Sequence, residues 1–70
     1  MCQEFINNRG LLIGLIYSHG IFTEEQIARE YRERRHSLMV DGLLSVRGFL
    51  NRMHEVGALE YNRGRYEVTG

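Results

Sequence analysis

SVRGFLNRMHEVGALEYNRGRYEVTG, residues Ser45 to Gly70, decides how this chain is read. Ser45 stands where a helix N-cap belongs. Val46, Leu50 and Met53 then share one side of a helix, with Phe49 and Val56 at its margins. Gly57 suits the left-handed residue just past a helix end. Beyond it the period changes from helical to alternating. Leu59 to Tyr61 reads as a strand, and Asn62-Arg63-Gly64 is turn chemistry. Arg65 to Thr69 returns as a second strand, in which Tyr66 and Val68 alternate with Arg65 and Glu67.

Working upstream, Arg35 to Leu44 gives the least regular pattern. It holds Leu38, Met39, Val40, Leu43 and Leu44 around Asp41-Gly42. Two readings stand side by side. The preceding helix runs on to about Val40 and stops at Gly42, or it breaks near His36 and an extra turn follows. The apolar residues there serve either the core or a dimer or partner surface formed by Leu38, Met39 and Leu43. Further upstream, Thr23 is an N-cap and Gln26 sits at the capping-box position. Glu24 and Glu25 in the first turn suit the helix dipole. Ile27, Ala28 and Tyr31 form the inward side of this helix. Arg29, Glu30, Arg32, Glu33 and Arg34 read as a solvated face of mixed sign. An earlier helix carries Leu12, Ile13 and Ile16 at helical spacing and ends at Ser18-His19-Gly20, where His19 favours the helix C-terminus.

Composition narrows the classes. The chain has 70 residues, room for one domain with one modest core. A single cysteine, Cys2, rules out an internal disulfide, and no histidine or cysteine pair has zinc-ligand spacing. No metal or other cofactor is expected, and self-association, most simply a homodimer, is the expected source of extra stability. The longest apolar run, Leu11 to Tyr17, is too short to span a membrane, and no secretory layout precedes it. The expectation is a cytoplasmic protein. No phosphate-binding glycine loop, nucleophile elbow or metal motif is present, and the adjacent His54 and Glu55 project apart on a helix, so no enzyme is expected. The four tyrosines are spaced as core-edge residues. The formal net charge is zero, with nine arginines and no lysine among the basic residues. The charge is uneven, however. Leu44 to Tyr66 holds four arginines against Glu55 and Glu60.

The order helix, helix, helix, hairpin resembles the winged helix-turn-helix family. LLIGLIYSHGIFTEEQIAREY resembles its first helix, the short strand at Ile21-Phe22 and the second helix. SVRGFLNRMHEVGAL resembles its recognition helix, and EYNRGRYEVTG its wing. The link between the second and third helices is longer and more apolar than the family's short turn. The resemblance, over roughly Leu12 to Thr69, implies a mainly α fold with a small β hairpin (α+β), in one domain over 1–70; the polar residues 1–9 either extend the first helix or form a loosely docked N-terminal extension.

It also implies a small DNA-binding protein, a transcriptional regulator acting at the nucleoid on double-stranded DNA. Helix 45–56 would enter the major groove and wing 59–69 would lie on the backbone. The buried side of that helix centres near Met53, so Arg47, Gly48, Asn51 and Glu55 face outward with Arg52 and His54 on the flanks. Asn51 matches adenine and Arg47 guanine, Gly48 would let the nucleic acid approach, and Ser45 would join the readout. Asn62, Arg63 and Arg65 would serve the wing. The alternative is a winged-helix protein–protein module, an assembly subunit or small inhibitor, which the neutral charge and the apolar Leu38–Leu44 segment favour.

Overall fold

The computed structural model describes residues 8–41 and 44–69. The elements run α1 (Asn8–His19), β1 (Ile21–Thr23), α2 (Glu24–Arg35), β2 (Met39–Asp41), β3 (Leu44–Ser45), α3 (Val46–Glu55), β4 (Leu59–Asn62) and β5 (Arg65–Val68). The expected Leu43 lies outside the described residues.

Each helix begins or ends where a local signal stands. Thr23 Oγ1 accepts from the Gln26 N–H at 3.1 Å, and Ser45 Oγ accepts from the Gly48 N–H at 3.1 Å. Both caps satisfy amide groups that the first turn leaves without partners. At the far end of α3, the Gly57 N–H donates to the His54 carbonyl and the Ala58 N–H to the Met53 carbonyl. Gly57 has φ +85°. This is a Schellman closure, and it turns the chain out of α3 into β4. Val56, expected at the margin of the buried side, belongs to this closure and is 72% exposed.

The α1 pattern needs one correction. Leu12, Leu15 and Ile16 are buried, whereas Ile13 faces outward. At about 100° per residue, Leu15, Leu12 and Ile16 occupy one continuous arc and Ile13 falls beyond its edge. Two further contacts tie α1 down. His19 Nε2 lies 2.9 and 3.0 Å from the two carboxylate oxygens of Glu30, so His19 links α1 to α2. The Val68 N–H donates to the Gly20 carbonyl at 2.8 Å.

The α2–α3 link differs most from expectation. α2 does not continue to Val40. His36 caps it in left-handed backbone (φ +56°), and the chain then forms β2, which pairs antiparallel with β3. The break near His36 is therefore present, but a two-stranded hairpin follows instead of an extra turn. The physical reason lies in Val40. It is nine residues past Tyr31, so a continued helix would put it on roughly the opposite face from the core. As a strand residue it is 1% exposed, and the buried Tyr31 donates its hydroxyl to the Met39 carbonyl at 2.9 Å. The segment thus divides. Val40 enters the core and Leu44 packs against it, while Leu38 and Met39 are exposed.

The larger sheet has strand order β1-β5-β4, antiparallel throughout. Its inner face carries Phe22, Leu59 and Tyr66, all buried, against residues from all three helices. Its outer face carries Ile21, Arg65, Glu67, Glu60 and Asn62, by the alternation that the strand registers impose. Among the described residues the buried side chains are aliphatic, phenylalanine or tyrosine, and none is charged. The architecture is α+β: three helices and a small antiparallel sheet in a winged-helix arrangement, with β4 and β5 as the C-terminal wing.

Candidate nucleic-acid interface

The exposed surface of α3 divides into two stripes at helical spacing. Arg47, Asn51 and His54 lie on the side of the β4–β5 wing. Gly48, Arg52 and Glu55 lie on the side of β3.

The wing-side stripe is held by polar contacts. Arg47 has 77% of its side chain exposed, and its Nε is 4.0 Å from Glu24 Oε1 at the start of α2. Both partners of that pair are open to solvent, so it orients the guanidinium more than it stabilises the fold. Asn51 Oδ1 accepts a long hydrogen bond, 3.4 Å, from the Tyr66 hydroxyl. That phenol titrates above its ordinary range, because burial disfavours its charged form and Glu24 and Tyr61 add to the effect against the opposing Arg47. Like any tyrosine phenol it is protonated at neutral pH and can donate to Asn51.

On the β3-side stripe Gly48 has a close neighbour. A Cβ at this position would stand 3.0 Å from Leu44 Cδ1 and 3.6 Å from Ser45 Oγ. The missing side chain gives Leu44, a neighbour from β3, room to pack. Ser45 is likewise engaged, since its hydroxyl oxygen accepts the capping bond from Gly48. Arg52 is exposed.

The wing residues separate as well. Asn62 ends β4 and pairs in register with Arg65. The two central turn residues are Arg63 (φ +55°) and Gly64 (φ +80°), the signature of a type I′ turn. Arg65 and Asn62 share the outer face with Ile21 and Glu67, and these four with Arg63 line a shallow depression there. That face is opposite the one that meets α3. The sequence-predicted residues thus form two groups, Arg47 with Asn51 on α3 and, on the outer face of the wing, Asn62 and Arg65 with the tip residue Arg63.

One group was not singled out in the sequence. Tyr61 and Tyr66 are register partners across β4 and β5, with ring centroids 4.9 Å apart. The His54 ring meets Tyr61 edge-on at 6.4 Å, and Tyr66 stacks on Phe22 at 5.8 Å. The core-edge description fits Tyr66 and the buried Tyr31, but Tyr61 is 55% exposed and Tyr17 56%. A signal for the Tyr61–Tyr66 pair was present. A two-residue turn at Arg63-Gly64 makes positions 62 and 65, then 61 and 66, neighbours.

Among the described residues, no group of three or more His, Cys, Asp or Glu side chains could hold a metal ion. No described helix is long and apolar enough to cross a membrane. Comparison with protein-family models, with curated proteins and with solved structures returned no match to this chain.

Proposed function

We propose that this chain is a small DNA-binding protein, a transcriptional regulator of the winged helix-turn-helix type that acts in the cytoplasm at the nucleoid. One observation carries the reading. The solvent face of α3 presents Arg47 and Asn51 directly beside a wing whose tip is an arginine in left-handed backbone. Arg63 occupies a turn position that asparagine or glycine fills with less strain. At the tip its side chain is exposed, so its charge is free to meet a phosphate.

On this reading α3 enters the major groove with its N-terminal half leading. Arg47 offers a forked donor suited to guanine, and Asn51 an amide suited to adenine. Tyr66 occupies Asn51 Oδ1 only weakly, so the amide stays available to a base. Arg52 and Arg63 meet phosphates, which supply affinity and register. A homodimer would double these contacts on a two-fold site. Glu24 beside Arg47 opposes phosphate approach and keeps affinity modest, as the zero net charge also does.

The test is a fluorescence-polarisation titration of a labelled mixed-sequence duplex at low and high salt. Binding should fall log-linearly with salt. Arg47→Ala should weaken preference among duplexes by roughly tenfold, the scale of one bidentate base contact. An unchanged preference in that variant would remove α3 as the reading helix.

A specific observation also favours a protein partner. Leu38 and Met39 are 44% and 42% exposed. Leu38 joins Ala28, Arg29, Arg32 and His36 along an open groove on α2. If this is the working surface, duplex binding is absent at every salt concentration.

A further inference from the structure

The wing has two faces, and they differ in chemistry. The outer face carries Arg65, but also Glu60 directly opposite Glu67 across β4 and β5. Two facing carboxylates repel a phosphate backbone and offset the single arginine between them and the tip. The inner face near α3 carries Tyr61, ringed by His54 and Tyr66, and next to them Asn51. The carboxylate on that side, Glu24, lies 4.0 Å from Arg47 and is partly offset by it.

We propose that the wing meets duplex DNA through Tyr61, supported by His54, and that Arg65 takes no part. The inference rests on the DNA-binding reading and says which residues of the wing make contact. Three observations carry it. Tyr61 is the exposed aromatic residue of the wing that shares a side with the Arg47–Asn51–His54 stripe. Its ring has two ring neighbours, Tyr66 at 4.9 Å and His54 at 6.4 Å, which limit the side-chain freedom lost on docking. Its chemistry suits a sugar–phosphate edge, where the ring covers deoxyribose and the hydroxyl donates to a phosphate oxygen. His54, one turn beyond Asn51, adds a second ring donor to the same stripe.

The experiment measures the affinity of a labelled mixed-sequence duplex at low salt for the unaltered chain and for Tyr61→Ala, Tyr61→Phe and Arg65→Ala. Tyr61→Ala should weaken binding about tenfold and Tyr61→Phe about threefold, as expected for loss of ring and hydroxyl against loss of the hydroxyl alone. Arg65→Ala should stay within about twofold of the unaltered chain, far from the loss a phosphate contact would bring. The chain contains no tryptophan, so Tyr61→Trp puts a lone indole at this position and keeps an aromatic ring against Tyr66. Its fluorescence should be quenched on adding duplex, even if Tyr61→Ala proves too unstable to measure. Duplex binding with no indole response, or a larger loss in Arg65→Ala than in Tyr61→Ala, would overturn the inference and leave the DNA reading standing. No duplex binding by the unaltered chain would overturn both.

Discussion

The two hairpins of this molecule are built on different principles. β4–β5 is regular. Four consecutive residue pairs lie in register, and the turn has positive φ at both central residues. β2–β3 is short and irregular, with a register shift between Met39 and Asp41. A regular two-residue turn closes the first hairpin, and Leu59, Tyr66 and the pairing of β5 with β1 tie it to the core. Tertiary contacts hold the second: Val40 in the core, the Tyr31 hydroxyl on the Met39 carbonyl, and the Val46 N–H on the Leu38 carbonyl at 2.9 Å. A hairpin of the first kind can carry a functional tip, because its geometry does not depend on what the tip touches. The second kind is an insert between α2 and α3 that seals the core and sets the start of α3.

This difference can be broken from either side. The largest effect is expected at Tyr66, which joins the wing to the core through Phe22 and Tyr61. Tyr66→Ala should cost about 3–5 kcal/mol in urea denaturation, the scale of removing a buried aromatic ring. A loss below about 1 kcal/mol would mean that the wing does not contribute to the core. Gly64→Ala comes next. Its φ of +80° is strained for any residue with a Cβ, so the variant should lose about 1–2 kcal/mol. Hydrogen exchange should then show the loss of protection confined to β4 and β5. The smallest effect is expected for Tyr31→Phe. It keeps the buried ring but leaves the Met39 carbonyl without its donor, at about 1 kcal/mol. Faster exchange should appear in β2 and β3 first, and uniform acceleration across the chain would contradict the view of that hairpin as tertiary in origin.

What could be read from the sequence follows the same division. Thr23, Ser45 and Gly57 act through bonds to residues within a few positions, and the elements they bound appear where those residues stand. The Asn62-Arg63-Gly64 turn is equally local. The β2–β3 hairpin was not legible, because a helix or a turn satisfies Arg35–Leu44 locally. Only the need to bring Val40 to the core decides against the helix. The packing of Gly48 was not legible for a related reason. On the helix it points outward, and the neighbour that comes close, Leu44, belongs to another element, β3. In the candidate site, the exposure of Arg47 and Asn51 was readable from helical phase. Their contacts with Glu24 and Tyr66 were not, since those partners come from other elements. The separation of Arg65 from the α3 side was implicit in strand alternation.

The account turns on whether α3 and the wing form one nucleic-acid surface. The most direct measurement is an NMR titration of the isotope-labelled chain with a short duplex, following each backbone amide. The account predicts shifts concentrated at Arg47–His54 and Tyr61–Gly64, with Leu38–Val40 and the outer side of α2 unmoved. Shifts centred on Leu38, Met39 and α2, or none at a duplex excess, would contradict it.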